Sequence, residues 1–220
     1  EAKKRIYIIL QKSSTKHTKV QQDEIAEKAA VAAVKYAMLK VGAAGDIAFD
    51  LEKSVSFEGD SGPYLQYTYA RCRSVLRKAN TTVIARSSAS RDDEAISKSK
   101  GIAAVAEDGS LAMTMNPEER SLARLIGQFP DVVGAAAANF APNTICTYLF
   151  HLAQAFNLFY AKHQILARDK GQETGDKKTN ASDLSPVSGL LSLRLALTAS
   201  TAQVLANGLY LLGIETLEQM

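Results

Sequence analysis

The residues best suited to binding chemistry lie at positions 56–72, SFEGDSGPYLQYTYARC, where a glycine-containing loop runs into a helix with three tyrosines and an arginine. At about 100° per residue, the side chains of this helix fall on two faces. One face carries Leu65, Tyr69, Cys72 and Leu76, and nearly opposite lie Tyr64, Tyr67, Arg71, Ser74 and Lys78. The first face is predicted to enter a core. The second combines rings, hydroxyls and cations, which suit the unstacked bases and phosphates of single-stranded RNA.

A second interpretation of the same helix needs no ligand. The rings of Tyr64 and Tyr67 could pack against neighbouring helices with their hydroxyls at the surface, which is a common arrangement for tyrosine. From the residue pattern alone, this packing interpretation is favoured over RNA binding.

The remaining residues form no recognisable catalytic or metal-binding pattern. The sequence has only Cys72 and Cys146, and its three histidines share no metal-ligand spacing. It contains no phosphate-binding glycine loop with its lysine, no HExxH motif and no nucleophile elbow. Glu58 and Asp60 could be imagined as an acid and a base, but carboxylates in a glycine loop are more often helix caps. We therefore predict no catalytic residue and no metal site.

Length and composition indicate a folded domain. The chain has 220 residues, of which 46% are hydrophobic, which is sufficient for one large domain or a domain with an appendage. It has no run of eighteen apolar residues, and its first residues, EAKKRIYIIL, do not resemble a secretory signal. We expect a soluble intracellular protein. The net charge of +3 is mild, so a polyanionic partner would need a local basic or aromatic patch.

Hydrophobic periodicity predicts a helical bundle preceded by a smaller helical segment. A short strand is predicted at 46–50, DIAFD. The polar stretches 80–116 and 168–187 are predicted to be a mobile loop and a linker. The helices are predicted at 2–11, 18–42, 62–79, from Pro117, after Asp131, at 142–166 and at 188–212.

Three long stretches resemble one known family in collinear order. They are IAFDLEKSVSFEGDSGPYLQYTYARCRSVLRKA, NFAPNTICTYLFHLAQAFNLFYAKHQIL and RLALTASTAQVLANGLYLLGIETLEQM. The first is similar to the junction between the catalytic domain and the anticodon-binding domain of arginyl-tRNA synthetases, which are class I aminoacyl-tRNA synthetases. The second is similar to the central helix of the anticodon-binding domain, and the third to its C-terminal helix and tail. The resemblance is weakest at 80–116 and 168–187.

The resemblance implies an organisation and an activity. Residues 1–55 would be the helical end of the catalytic domain, and residues 56–220 would be an all-α DALR-type anticodon-binding domain. The HIGH and KMSKS-like motifs of the family, which carry the adenylate chemistry with ATP and magnesium, do not occur in this sequence. We therefore expect a C-terminal fragment that is inactive alone and contains no cofactor, while the full-length protein is an arginine–tRNA ligase.

The resemblance also implies a set of RNA-binding residues. In the family, the loop matching 56–61, the tyrosine matching Tyr67 and the C-terminal methionine, here Met220, lie against the anticodon loop. Arg71 lies one helical turn beyond Tyr67, and Tyr148 is inferred as a neighbour on the central helix. The tail ends LEQM where the family often has a proline and an arginine, so Gln219 supplies no charge. The predicted set is Phe57, Glu58, Gly59, Asp60, Ser61, Tyr64, Tyr67, Arg71, Tyr148 and Met220.

The partner that the resemblance implies is arginine tRNA, bound through its anticodon loop. We expect the protein to be a cytoplasmic monomer that binds neither DNA nor a membrane. The alternative is a helical protein-interaction module that has kept the fold and lost tRNA binding. In that alternative the tyrosines would be buried, and the variable loops would bind another protein.

Overall fold

The computed structural model describes residues 1–12, 18–43, 45–89, 115–166 and 186–220. Within these ranges all regular elements are helices, which confirms the predicted all-α class. In chain order they are α1 (Ala2–Lys12), α2 (Lys19–Leu39), α3 (Leu51–Ser54), α4 (Gly62–Ala89), α5 (Pro117–Gly127), α6 (Phe129–Ala138), α7 (Pro142–Lys162) and α8 (Pro186–Leu211).

Helices α1 and α2 pack together at the start of the chain. A capping box begins α2: the Gln21 N–H donates to Thr18 Oγ1 at 3.3 Å, and the Thr18 N–H donates to Gln21 Oε1 at 3.0 Å. The apolar residues buried between the helices are joined by Leu217 from the far end of the chain. In addition, Tyr36 of α2 enters the core of the bundle. The first segment and the bundle therefore share apolar contacts, and the predicted boundary at residue 55 stays a prediction.

The strand predicted at 46–50 is wrong, because these residues have no regular structure and pair with no neighbouring strand. Ile47 and Phe49 are exposed, so the alternating pattern has no core to face. The last residue of the segment, Asp50, caps the start of a short helix instead. Asp50 Oδ1 accepts hydrogen bonds from the N–H groups of Glu52 (3.0 Å) and Lys53 (3.2 Å), and these bonds begin α3.

The bundle core lies between α4, α5, α7 and α8. Burial of each large apolar side chain contributes about 1.5 to 3 kcal/mol. On α4 the residues predicted to face the core do so: Leu65, Tyr69 and Cys72 are buried, and Leu76 packs against them. The large apolar side chains of α5, α7 and α8 that are fully buried are Leu122, Leu149, Leu152, Phe156, Phe159, Leu205 and Leu209.

Two helices end at positions that differ from the predicted ones. Helix α4 continues to Ala89 rather than stopping near Ala79, because no glycine or proline interrupts residues 80–89. Helix α7 ends at Lys162, before the predicted Leu166, because His163 is extended with φ −121° and ψ 137°. Residues 90–114 of the predicted loop and residues 168–185 of the predicted linker lie outside the described residues.

A buried ion pair joins α5 to α8. Arg194 Nε donates to Glu119 Oε1 at 2.7 Å, and the Glu119 side chain is fully buried. The Asn116 N–H also donates to Glu119 Oε2 at 2.9 Å, which completes the start of α5. Arg194 Nη1 donates to the carbonyl of Gln164 at 2.8 Å, so the same side chain fixes the segment after α7. This segment forms one side of the candidate site.

Helix α8 is both long and apolar. From Gly189 to Leu211 it is long and apolar enough to cross a membrane, with a mean hydropathy of 1.3. However, it packs against α4, α5 and α7 and buries Leu197, Leu205 and Leu209 among them. A core helix passes the same length and composition test, so we interpret α8 as the central helix of the bundle.

The last seven residues turn back after α8 and run beside α4, outside any helix as predicted. Gly213 makes the turn in the left-handed region, with φ +65°. Ile214 and Leu217 are buried, and Gln66 Nε2 donates to the Glu215 carbonyl at 2.7 Å. The end of the chain is therefore held against the tyrosine-bearing helix.

Candidate nucleic-acid interface

The start of α4 sets the position of the predicted tyrosines. Ser61 Oγ accepts a hydrogen bond from the Tyr64 N–H at 3.2 Å, so Ser61 caps the start of the helix. The Ser61 hydroxyl also donates to the Ser56 carbonyl, which closes the loop. At Gly62, an added Cβ would lie 2.4 Å from the Ala32 carbonyl oxygen. Helix α4 therefore contacts α2 at a point where only glycine fits.

The C-terminal tail is fixed mainly by Glu218. Its carboxylate accepts hydrogen bonds from the Tyr69 hydroxyl and from Arg73 Nε, both at 2.8 Å, while Arg77 Nη1 donates to its carbonyl at 2.9 Å. Burial alone would raise the pKa of Glu218, but Arg73 and Tyr69 more than offset it, and the pKa is lowered. The charged tail anchor thus positions Met220 beside α4.

Two adjoining clefts open on this part of the surface, and Tyr67, Arg71 and Met220 line both of them. The first, which we call the apolar cleft, has a volume of about 480 Å³ and is lined in addition by Ile9, Leu10, Phe57, Glu58, Tyr64 and Asn157. The second, the basic cleft, has a volume of about 560 Å³, and its other lining residues include Ser74, Arg77, Lys78, Tyr160, His163 and Gln219.

Arg71 lies where the two clefts meet. Its Cζ atom is 4.6 Å from the centre of the Tyr67 ring and 5.1 Å from that of Tyr160, so the cation interacts with both rings. Nη1 donates to Asn157 Oδ1 at 2.6 Å, and Nη2 donates to the Tyr67 hydroxyl at 2.5 Å. Among the described residues, no carboxylate lies within ion-pair distance of Arg71. Within the described residues, neutral groups therefore hold the guanidinium, and no carboxylate pairs with it.

Two acidic side chains beside the basic cleft, Glu118 and Glu218, pair with cations other than Arg71. Glu118 pairs with Lys162 at 2.5 Å and approaches His163 Nε2 at 3.4 Å. The hydrogen bond from Lys162 is the main reason why the pKa of Glu118 is lowered to about 2. Since Glu218 is paired with arginines, the basic cleft presents cations beside aromatic rings. This combination suits a phosphate backbone with unpaired bases.

The structure brings together most of the predicted RNA-binding residues. Phe57, Glu58, Tyr64, Tyr67, Arg71 and Met220 all line the apolar cleft. The side chain of Tyr67 is only partly buried, and Met220 is its neighbour although the two are far apart in sequence. The rings of the predicted second face are therefore available to a ligand, as the RNA-binding interpretation requires.

Other members of the predicted set line neither cleft. Gly59 has φ +83° and shapes the loop, while Ser61 is buried as the cap. Asp60 is not a helix cap: its Oδ1 accepts a hydrogen bond from the Tyr36 hydroxyl at 2.6 Å, and its Oδ2 lies 3.3 Å from Lys40 Nζ. These contacts face α2, so Asp60 ties the loop to the first segment.

Tyr148 is not the neighbour of Tyr67 that the sequence suggested. It is buried, it donates to the Leu125 carbonyl at 2.7 Å, and its ring packs against Phe129 at 5.8 Å. It precedes Tyr160 on the same helix by about 18 Å at 1.5 Å per residue. Burial raises its pKa to about 12. The error arose because the sequence does not show which part of the long helix α7 meets α4.

Sequence reasoning missed Asn157, Tyr160 and His163 of the α7 end. The apolar stripe of this helix contains Phe156 and Phe159, and the polar or aromatic residues beside the stripe carried no separate signal. A search for residues near the Tyr67 face would have required the pairing of α4 with α7. No group of three or more His, Cys, Asp or Glu that could hold a metal occurs in the described part of the chain.

Comparison with known proteins places the chain in a family. Residues 65–220 match the DALR anticodon binding domain. The chain is 33% identical over its whole length to an arginine–tRNA ligase of Pyrococcus abyssi and covers 29% of that protein. It is 36% identical to the arginine–tRNA ligase of Cutibacterium acnes, with 87% of the chain and 29% of the relative covered. The solved arginyl-tRNA synthetase of Thermus thermophilus superposes with a TM-score of 0.69, at 30% identity, over 100% of the chain and 31% of its own length.

The chain is a bundle of helices with a surface groove lined by aromatic and cationic side chains, and these features are typical of an RNA-binding domain. The chain belongs to the family of DALR anticodon binding domains. This membership implies tRNA binding, and the matches give no support to a protein-interaction module. The chain spans about 29% of the length of the curated relatives that it matches.

Proposed function

We propose that this chain is the anticodon-recognition part of an arginine–tRNA ligase and binds the anticodon loop of arginine tRNA in the two clefts. The observation that carries the proposal is the shared wall formed by Tyr67, Arg71 and Met220. It places a partly exposed ring, a cation that no carboxylate of the described residues pairs with, and the Met220 side chain side by side. Such a wall can stack a splayed base and contact its backbone at the same time.

The loop and the tail supply the surroundings of this wall. Phe57 and Met220 each pack against the buried residues of the α1–α2 cluster, so one side of the apolar cleft is already formed before RNA arrives. On the other side, Arg77 and Lys78 give the basic cleft a positive rim. We assign base stacking to the apolar cleft and backbone contacts to the basic cleft.

In the whole enzyme, anticodon binding would select arginine tRNA and orient its acceptor end toward the activated amino acid. Attachment of arginine, with ATP and magnesium, is assigned to the remainder of the ligase and to no residue of this chain. We further propose that the ligase acts in the cytoplasm as a monomer. The chain by itself is expected to catalyse no arginine-dependent exchange between ATP and pyrophosphate.

Filter binding of the 220-residue chain to RNA across a salt series tests the proposal. The probes are an RNA hairpin with the anticodon arm of arginine tRNA and the same hairpin with altered anticodon bases. Affinity should fall as salt rises, and it should depend on the anticodon bases. Binding that is equal for both hairpins would indicate only a generic basic surface and would contradict anticodon recognition.

A further inference from the structure

Asn157 makes a set of hydrogen bonds that the packing of helices does not require. Its Oδ1 accepts from Arg71 Nη1 at 2.6 Å. Its Nδ2 donates to the Tyr64 hydroxyl at 2.9 Å and to Thr68 Oγ1 at 3.1 Å. One amide on α7 therefore contacts three side chains on α4, and two of these belong to the proposed RNA site.

The hydrogen bonds of Asn157 fix the position of Arg71. A guanidinium has five N–H donors; one goes to Asn157 and one to Tyr67, so three remain without a protein acceptor among the described residues. The rings of Tyr67 and Tyr160 limit where the group can move. The rotamer freedom that a long side chain would lose on binding is thus already lost in the unliganded chain.

The charge of Arg71 favours a phosphate as its ligand. All its contacts within the described residues are with neutral groups, so no carboxylate in that part of the chain balances its positive charge. The fork of a guanidinium matches two oxygens of a phosphate, and each RNA nucleotide carries one such group. The edge of a base could accept a hydrogen bond from Arg71 but would leave this charge without a counter-charge.

We infer that Asn157 is a positioning residue for RNA binding: it holds the Arg71 guanidinium at the junction of the two clefts, ready to bind a backbone phosphate. This inference rests on the proposed function. It adds a residue outside the predicted site and names the phosphate group as the ligand of Arg71.

A double-mutant cycle tests the inference. The wild-type chain, Asn157→Ala, Arg71→Gln and the double variant are compared for binding to the arginine anticodon-arm hairpin across a salt series. Asn157→Ala should weaken binding about tenfold in the wild-type background, and less than about twofold when Arg71 is already glutamine. Arg71→Gln should also lower the slope of log affinity against log salt by about 0.7 to 1, as the loss of one phosphate contact does.

Asn207→Ala is the matched control. Asn207 is exposed on α8, lines neither cleft and accepts a hydrogen bond from Gln203 at 2.9 Å, so its loss should leave RNA affinity unchanged. Equal weakening by Asn157→Ala in both backgrounds would overturn the positioning role and indicate a structural one. An unchanged salt slope in Arg71→Gln would overturn the phosphate contact and favour a base edge.

The unliganded chain provides a readout that does not depend on RNA. The NMR signal of Arg71 Nε–H, assigned by its absence in Arg71→Gln, should be shifted by the two rings. In Asn157→Ala it should move toward the position of an exposed arginine. An unchanged signal would overturn the positioning role even if RNA binds. A wild-type chain that binds neither hairpin would instead overturn the proposed function and the phosphate contact together.

Discussion

The hydroxyl of Tyr36 donates a hydrogen bond of 2.6 Å to Oδ1 of Asp60, which joins α2 to the loop before α4. The same hydroxyl lies 3.1 Å from the Cys146 carbonyl of α7. Burial, followed by the hydrogen bond to Asp60, raises the pKa of Tyr36 far above its usual value, so the hydroxyl remains a hydrogen-bond donor at neutral pH. Three parts of the molecule therefore meet at one buried phenol.

Replacing Tyr36 by phenylalanine should lower the free energy of unfolding by about 1.5 to 3 kcal/mol, the usual contribution of a hydrogen bond to a charged group. The ring stays, so packing is kept, but among the described residues the Asp60 carboxylate retains only Lys40 as its partner. Urea denaturation measures the change. The control is Tyr210→Phe, because Tyr210 is 81% exposed and should lose almost nothing. Equal stability of the two variants would mean that the hydroxyl of Tyr36 is not needed.

The close contact between α2 and α4 leads to a second prediction, which concerns the stability of a Gly62 variant. A methyl group at Gly62 would lie 2.4 Å from the Ala32 carbonyl oxygen, and a backbone atom cannot move aside as a side chain can. Gly62→Ala should therefore destabilise the chain by at least about 2 kcal/mol. Gly134→Ala is the matched control, since nothing lies within 4 Å of its added methyl group. Within helix α6 this change should be neutral or stabilising by up to about 1 kcal/mol. Thermal unfolding that shows no difference between the variants would contradict the close contact.

Helix α4 shows what the sequence could predict. Leu65 and Cys72 are buried, whereas Tyr67 and Arg71 border the clefts, because the helical repeat decides which side chains share a face. The same repeat predicted the bundle helices within a few residues at most of their ends. The helical periodicity of the sequence was therefore enough to predict both the all-α fold class and the side chains that α4 contributes to the site.

The rest of the site depends on contacts between distant segments. Asp60 was expected to cap α4 or bind RNA, but Tyr36 and Lys40 of α2 engage its carboxylate, and no local pattern reveals such partners. Tyr148 and Tyr160 lie on the same helix, and only the pairing of α4 with α7 decides which of them faces Tyr67. The position of Met220 was supplied by the family resemblance, because nothing in its own neighbourhood in the sequence predicts it.

Acid should weaken the fold through the glutamates of α5. Burial alone would raise the pKa of Glu119, but its hydrogen bonds with Asn116 and Arg194 outweigh burial and lower it. A pKa that is lower in the folded chain gives stability that is complete above the unfolded value of 4.5 and is lost as pH falls through the folded value. The pKa of Glu118 is lowered to about 2, so the free energy of unfolding should decrease between about pH 4.5 and 2. Chemical denaturation at a series of pH values measures this decrease.

Two ion pairs, one buried and one exposed, show how far burial increases the loss of stability when one charge of a pair is removed. Glu119→Gln should cost about 3 kcal/mol, because it leaves the Arg194 charge at a largely buried site without its counter-charge. The exposed pair of Glu24 and Lys28, at 2.9 Å, should lose less than about 0.5 kcal/mol in Glu24→Gln. If both variants are equally stable, or if stability rises as pH falls below 4.5, the role given to Glu119 is wrong.

Deleting Met220 should reduce the discrimination between arginine and altered anticodon hairpins more than it reduces helicity. The side chain lines both clefts, whereas the tail before it is anchored independently through Leu217 and Glu218. Competition binding measures the discrimination, and circular dichroism measures the helicity. A large loss of helical signal in the deletion variant would show that the last residue is structural instead.

Tyr67→Ala should weaken RNA binding by about 1 to 3 kcal/mol, the usual contribution of one base stacked on an aromatic side chain. Tyr67→Phe separates the ring from the hydroxyl: it keeps the stacking surface and removes only the hydrogen bond from Arg71 Nη2. We therefore expect Phe to retain most of the affinity that Ala loses. Filter binding at fixed salt measures both variants, with Tyr210→Ala as the control at an exposed tyrosine of α8. An unchanged dissociation constant for Tyr67→Ala would remove Tyr67 from the site, and equal losses for Ala and Phe would shift the interaction from the ring to the hydroxyl and Arg71.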